Sequence, residues 1–271
     1  MPADDAAGLA RLRSWFRAYV AAFCTRDPDA APVYRMKAAH TRRVRLGVRR
    51  LAAEAGLSGR ALVLAETVGL LHDAGRFEQY ERYRTLRDGE SEHHGRLAVQ
   101  VIRMQGLLQD IPAAERRIVL GAVAHHNEAR LRPLADPAAF YLLKLLRDAD
   151  KLDILKMAAA RTNGRRRPGP LTDLNVPADG PCSPAVVAAM QAGRVVPVAK
   201  VGSRCDALLF FLSWVFDLNF PAAFRQVLEA GWFDRLAGAL PPCGHARAVV
   251  RKARDHAASC AARPHAGRPP V

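Results

Sequence analysis

The side chains most suited to chemistry are those of histidine and aspartate residues at a few positions in the chain. Nine histidines occur in the 271 residues, and six of them lie in the first half of the chain. His72 is followed directly by Asp73, and two histidine doublets follow at residues 93–94 and 125–126. Imidazole and carboxylate together suit Mn, Fe, Ni or Zn, and ligands on several helices can build a site inside a bundle. The pattern therefore favours a divalent metal site.

The apolar surroundings of the aspartates strengthen this interpretation. His72 and Asp73 follow the apolar run VGLL, while Asp148 and Asp150 follow LLKLLR. A carboxylate at the end of an apolar helix is costly to bury unless it is paired or binds a metal. Any one histidine taken alone could equally be a satisfied core or surface residue. The combination of His40, the His-Asp pair and the segment RDADKLD argues against that alternative.

Helices must position these residues, because apolar side chains recur at steps of three and four almost throughout the chain. The polar segment 74–92 is predicted to be a connection over the site, and clean period-two alternation is missing. The fold class is therefore predicted to be all-α. The predicted helices cover about residues 9–23, 34–55, 59–73, 93–107, 112–126, 137–161, 185–191, 206–217 and one or two within 220–240.

Composition shifts divide the chain into four predicted regions. Residues 1–162 hold the candidate site, and residues 163–184 are rich in Gly and Pro and are predicted to be a loop or hinge. Residues 185–240 carry many Trp and Phe side chains and are predicted to be a C-terminal helical appendage. Residues 241–271 are predicted to be a tail that is partly disordered.

The charge balance of the chain indicates which kinds of molecule it could bind. The formal net charge is +15, and only six of the 41 basic residues are Lys. This Arg-rich bias attracts phosphates, although base composition of the genome explains it equally well. No DNA- or RNA-binding motif accompanies it, which argues against nucleic acid as a specific partner. Five scattered cysteines without a CxxC pair favour a reduced, cytoplasmic protein, and neither a signal peptide nor a membrane span is expected. Whether the protein forms a homo-oligomer stays open.

Four of these residues resemble a known signature. His40 in KAAHTRRV, His72-Asp73 in LLHDAGRFEQY and Asp150 in RDADKLDIL resemble the H…HD…D pattern of the HD-domain metal-dependent phosphohydrolases, over about residues 35–155. The resemblance implies an HD-domain helical bundle with a helical C-terminal appendage. It also implies that these four residues bind one or two divalent ions, for which Mg is compatible besides Mn, Fe, Ni or Zn. Asp148 competes with Asp150 for the last ligand position.

Two further histidines resemble the binuclear branch of that superfamily. His94 in HHGRLAVQVI and His126 in AVAHHNE are similar to the intermediate histidines that bind a second metal in HD-GYP-type phosphodiesterases. The GYP tripeptide is absent from the sequence, which leaves cyclic dinucleotide specificity open. The roles of His93 and His125 also stay open. By the same resemblance, Asp73 is expected to bridge two ions and to be catalytic.

Basic residues near the signature are candidates for binding a phosphate. Arg76 stands where HD-type nucleotidases commonly have a glutamate, and a guanidinium matches a phosphate bidentately. We therefore predict that Arg76 binds substrate and acts in catalysis. Lys37 lies one helical turn before His40, and Lys151 follows Asp150. Each lysine could neutralise substrate charge, but a lysine in such a position is more often a structural ion-pair partner.

The predicted function is hydrolysis of a phosphomonoester or phosphodiester by a metal-activated water, with a small-molecule phosphate ester or nucleotide as substrate. No P-loop, GxGxxG or nucleophilic Ser or Cys motif suggests other chemistry. Two alternatives stay open. One is a non-catalytic HD-fold regulatory module that binds a metal or nucleotide, and the other is a di-iron HD oxygenase. Metal and substrate identity are not predicted.

Overall fold

A computed structural model describes residues 3–162, 174, 176–177, 180–242, 244–264 and 270 of the chain. Across these residues the regular structure is helical and contains no strand, which confirms the all-α prediction. The described residues form two compact units that divide within one long helix, between Asp150 and Lys151. The predicted domain end at residue 162 lies about twelve residues further along the chain, directly after the end of that helix. None of the described helices is long and apolar enough to cross a membrane.

The first unit holds all of the predicted metal ligands. Its helices are α1 (Ala3–Arg26), α2 (Ala31–Glu54), α3 (Gly59–Leu71), α4 (Gly75–Tyr83), α5 (His94–Met104), α6 (Ala113–His125) and the first part of α7 (Pro137–Arg161). Helix α2 packs along α3, α4 packs against α5, α5 packs against α6, and α1 packs against α2 and α3. The approach of α2 to α3 is close at Gly69, where a Cβ atom would lie 3.0 Å from Arg45 Cα.

Helix α4 corrects the prediction of a plain connection over residues 74–92. Residues 75–83 of that segment form a helix with one buried side, on which Phe77 is fully buried in a cluster with Phe16, Phe23 and Tyr34. The sequence GRFEQYERY offers few apolar positions, so its helical period is weak even though the aromatic contacts stabilise it. Only residues 84–93 remain a connection, with a single 3-10 turn at Asp88–Glu90.

The second unit is also helical. Most of the predicted loop at 163–184 lies outside the described residues, and Pro184 begins α8. Residues 244–261, predicted as part of a partly disordered tail, instead form a helix whose buried side is mostly alanine, a weak apolar signal. The helices here are the rest of α7, α8 (Pro184–Gln191), α9 (Arg204–Ser213), α10 (Pro221–Glu229), α11 (Trp232–Gly238) and α12 (Gly244–Ala261), with 3-10 turns at Val198–Lys200 and Trp214–Asp217.

A cysteine pair differs from the expected set of reduced thiols. Cys182 and Cys205 are joined, with their Cα atoms 5.2 Å apart, a separation that suits a disulfide. The buried carboxylate of Asp206 accepts hydrogen bonds from Ser183 N at 2.7 Å and from Ser183 Oγ at 2.6 Å. These contacts bring the start of α9 to the segment before α8. Sequence spacing does not reveal this pairing, because the two cysteines are 23 residues apart.

One glycine sets the distance between α4 and α5, and we expect it to be sensitive to substitution. A Cβ atom on Gly75 would collide with His94 O and would lie 2.5 Å from Ala98 N, both of which are backbone atoms. Gly75→Ala should therefore lower the free energy of unfolding by ~1–3 kcal/mol, measured by urea denaturation. Gly121→Ala is the control, since its Cβ would meet Ala139 Cβ at an ordinary 3.5 Å. Equal stability of the two variants would contradict this packing.

Candidate metal centre

Helix α2 brings a lysine and a histidine to one buried face. Lys37 and His40 lie one turn apart, and Val44 and Val48 continue the same buried side against α3. Lys37 is 3% exposed and His40 is 1% exposed. Polar groups at this depth are costly unless they are paired. The apolar period of α2 therefore places both side chains in the interior, where they need partners from another element.

Those partners follow the end of α3. The apolar residues of this helix end at Leu71, and His72 and Asp73 come directly after it, both buried. His72 Nδ1 lies 2.9 Å from Gly69 O. A carbonyl oxygen only accepts, so Nδ1 carries the proton and Nε2 presents a lone pair. His72 Nε2 is buried and has no hydrogen-bond partner.

A second pair of histidines comes from α5 and α6. His94 begins α5 and His126 caps the end of α6, and both are buried. His126 Nδ1 donates to Val123 O at 2.8 Å, and His94 Nδ1 lies 2.8 Å from both carboxylate oxygens of Asp88. Each Nδ1 therefore carries the proton, and each Nε2 presents a lone pair. The two Nε2 atoms are 3.0 Å apart.

One oxygen of Asp73 faces α2 and the end of α3. Its Oδ2 lies 2.5 Å from Lys37 Nζ, 3.6 Å from His40 Nε2 and 3.5 Å from His72 Nε2. Burial alone raises the pKa of Asp73, but the positive charges of Lys37 and Arg76 outweigh it, so that the pKa lies well below its ordinary value. Asp73 is therefore an anion at neutral pH.

The other oxygen of Asp73 faces the second histidine pair. Its Oδ1 lies 3.5 Å from His94 Nε2 and 4.0 Å from His126 Nε2. Asp73 thus lies between two sets of histidines, with one carboxylate oxygen towards each. This is the arrangement of a carboxylate that can bridge two ions.

Asp150 adds a further carboxylate from α7. Its Oδ1 lies 3.0 Å from His40 Nε2, whereas Asp148 is fully buried on the same helix. Burial raises the pKa of Asp150, but its hydrogen bond to His40 and the charge there more than offset this, and the net pKa is lowered. Asp150 is therefore in direct contact with His40.

Burial keeps the histidines neutral. Desolvation by burial is the largest cause of the lowered pKa of His72, His94 and His126. The pKa of His94 falls to about 4, with the charge of Arg76 as the second cause. Neutral imidazole is the form that binds metal ions.

These donors fit a divalent cation. Two overlapping groups have ligand atoms within 4.8 Å of one another, and they share Asp73. The unpartnered Nε2 of His72 and the two facing lone pairs of His94 and His126 are unfavourable without a positive charge between them. Nitrogen and carboxylate donors together suit Mn, Fe, Ni or Zn. The groups are His40, His72 and Asp73, and Asp73, His94 and His126.

A comparison with protein families agrees with this geometry. Residues 38–155 match the family model described as HD domain. This part of the chain is an HD domain. The match spans α2 to α7 and so covers all six predicted metal ligands, which confirms the resemblance to the HD superfamily. No curated protein and no solved structure matches the chain. The similarity to the HD-GYP-type branch stays a prediction.

Arg76 occupies a different environment from the one expected of a free phosphate-binding group. In the HD domain its Nη1 donates to Gln79 Oε1 at 2.8 Å, to Asp88 Oδ1 at 2.9 Å and to Leu86 O. Its Nε is buried without a hydrogen-bond partner and lies 3.6 Å from Asp73 Oδ1. One edge of the guanidinium therefore holds the chain after α4, while its Nε points to the metal centre.

The two predicted substrate-binding lysines are both in ion pairs. Lys37 contacts Asp73, as described above. Lys151 Nζ lies 2.8 Å from Asp217 Oδ2, and both side chains are largely buried. These contacts favour the structural ion-pair alternative for Lys151. For Lys37 they favour a role in holding Asp73.

The outer members of the histidine doublets lie apart from the cluster. His93 caps α5, where its Nδ1 accepts a hydrogen bond from Arg96 N. His125 is 44% exposed at its side chain and lies 2.6 Å from Glu128 Oε1. The sequence left the roles of both open, and the structure places them at a helix start and at the surface.

Sequence reasoning missed three residues that support the ligands of the HD domain. Asp88 contacts His94 Nδ1, and Asn127 Nδ2 donates to Asp88. Arg147 on α7 donates to His126 O at 2.9 Å and to Glu128 O at 2.6 Å, which fixes the turn after α6. Asn127 follows the HH doublet directly, and that adjacency is the one local signal that could have pointed to it.

Proposed function

We propose that this HD domain is a binuclear metal-dependent phosphohydrolase. One observation carries the proposal: Asp73 lies between two groups of buried histidines, with one carboxylate oxygen facing each group. One ion would be held by His40, His72, Asp73 and Asp150, and the second by Asp73, His94 and His126. The net charge of +15 supports an anionic substrate.

The reaction would be hydrolysis of a phosphate ester, with a nucleotide-like substrate favoured. A divalent ion in this centre would polarise the phosphoryl oxygens and lower the pKa of a water molecule towards ~7. The water oxygen would bond to phosphorus as the ester bond breaks, and the leaving alkoxide would take up a proton. Asp73 would hold both halves of the centre together. Lys37 would keep Asp73 ionised and oriented through the 2.5 Å contact.

Arg76 would stabilise charge on the phosphoryl group through its buried Nε. Removing one preorganised donor of this kind typically costs ~10²–10³ in rate. Arg76→Ala should therefore lower turnover by about that factor, and Arg76→Lys should restore part of it, because the charge returns without the planar fork. Turnover and metal content are to be measured in the same preparations.

Arg82→Ala is the matched control for Arg76. Arg82 lies on the same helix but is half exposed and pairs with Glu78 at 2.9 Å. The Arg82→Ala variant should therefore keep full turnover. If Arg76→Ala keeps wild-type turnover, Arg76 has no part in the reaction. Lys37 would then be the remaining candidate for stabilising charge on the phosphoryl group.

A substrate screen tests the proposed activity. The metal-free protein is reloaded with Mn²⁺ and offered phosphomonoesters, linear and cyclic nucleotides and sugar phosphates, with phosphate or product release as the readout. We expect hydrolysis of at least one class, and we expect a chelator to abolish it. Nucleotide binding without turnover would support the regulatory-module alternative. Oxygen consumption by an iron-loaded protein that hydrolyses nothing would support the oxygenase alternative.

A further inference from the structure

Residues 84–92 form a strap that runs from the end of α4 to the start of α5. The strap begins at Arg84, which caps α4 in the left-handed conformation with φ of 55°. Gln79 holds its far end by donating to Ser91 Oγ at 2.8 Å and to Glu92 O at 2.9 Å. Arg76 holds its middle by donating to Leu86 O. Side chains of α4 therefore fix the strap at two places.

Asp88 is the residue of the strap that reaches the metal centre. Its carboxylate accepts hydrogen bonds from Arg76 Nη1 at 2.9 Å, from Gln79 Nε2 at 3.0 Å and from Asn127 Nδ2. Both of its oxygens also lie 2.8 Å from His94 Nδ1. Four donors from three segments converge on this carboxylate, so its position is strongly determined.

The Asp88 contact decides which nitrogen of His94 is available. With Nδ1 donating to the carboxylate, Nε2 presents its lone pair towards His126 Nε2 and Asp73 Oδ1. A carboxylate partner also makes the imidazole more basic and fixes the plane of the ring. Loss of such an outer partner typically costs ~10–100-fold in metal affinity.

Among His72, His94 and His126, only His94 has side chains next to its Nδ1: the carboxylate of Asp88, and Asn127, whose Nδ2 lies 3.1 Å away. The Nδ1 atoms of the other two donate to the backbone carbonyls of Gly69 and Val123. Substitution can therefore remove the outer partner of His94 without touching the first ion's ligands. Substitution of Asp88 should therefore weaken binding of the second ion and leave binding of the first ion unchanged.

We propose that Asp88 is a positioning residue for the second metal ion and that it couples this ion to the strap. The inference rests on the proposed binuclear centre. By linkage, a contact that strengthens binding of the second ion is itself strengthened when that ion binds. Loading of the second ion should therefore protect the strap, which holds the trypsin sites Arg84 and Arg87.

Stepwise Mn²⁺ titration of the metal-free protein tests this role. In Asp88→Asn the first ion should bind as in wild type, while the second should bind 10–100-fold more weakly and return at high Mn²⁺. Asp88→Glu, which restores the charge, should lie between the two. Trypsin cleavage of the strap should slow on loading of the second ion in wild type, and less so in Asp88→Asn.

Gln79→Met distinguishes positioning from a general loosening of the strap. Gln79 holds the strap at Asp88, Ser91 and Glu92 but is bonded to none of the proposed ligands. Gln79→Met should weaken binding of the second ion less than Asp88→Asn does. If wild type binds two ions and Asp88→Asn binds both unchanged, or if Gln79→Met has the larger effect, this inference fails while the binuclear centre stands. If wild type never binds a second ion, the proposed centre itself fails, and the inference fails with it.

Discussion

Replacing Asp73 by asparagine should remove both metal ions and reduce hydrolysis by about a thousandfold or more. Asp73 is the one residue shared by both groups of candidate ligands, and an amide offers neither the negative charge nor two equivalent oxygens. Metal content after reloading and gel filtration, together with turnover on the substrate found by screening, checks this result.

Folding of the Asp73 variant needs its own control, because Lys37 loses a buried partner. Removing one member of a buried ion pair typically costs ~3–5 kcal/mol. The amide oxygen of asparagine still accepts from Lys37 Nζ, so we expect Asp73→Asn to keep its helix content by circular dichroism. The double variant Lys37→Met with Asp73→Asn removes the unpaired charge altogether. A folded Asp73 variant with two ions per chain would refute the assignment.

His126→Ala should leave a chain that binds about one ion and hydrolyses its substrate ~10²–10³-fold more slowly. His126 belongs to the second group of ligands, and its Nε2 lies 3.0 Å from His94 Nε2. The first group of ligands is unchanged in this variant, so one ion should remain. Elemental analysis of the reloaded protein gives the count.

The neighbouring histidine gives a matched control. His125 precedes His126 in the sequence, yet it is partly exposed and pairs with Glu128 outside the cluster. His125→Ala should therefore keep two ions and near wild-type turnover. If the two alanine variants lose metal equally, the second site is not built on His126.

The six predicted ligands were accessible from the sequence because each lies in a short recognisable segment. Four of them lie at or near helix ends, whereas His40 and Asp150 lie in the middle of long helices. Apolar runs before His72 and before Asp150 indicated burial, and the HD match over residues 38–155 confirms the family. The structure brings these residues into one cluster around Asp73. Their roles as metal ligands stay a prediction until metal is measured.

The supporting residues could not be predicted in the same way. Asp88 lies in a polar segment without periodicity, and its contact with His94 exists because the strap folds back along α4. Helix α12 gives a weak apolar pattern because its buried side is mostly alanine. Cys182 and Cys205 meet although they are 23 residues apart, next to the contact of Ser183 with Asp206. Local sequence patterns report helices and apolar faces, whereas these features depend on which distant segments meet.

The metal content of the wild-type chain tests the central claim most directly. The metal-free protein is saturated with Mn²⁺, freed of excess metal and analysed for ions per chain, in parallel with Asp73→Asn. A centre built around Asp73 predicts close to two ions in wild type and close to none in the variant. A wild-type chain that never holds more than one ion at saturation, or a variant that keeps both, would contradict the binuclear centre.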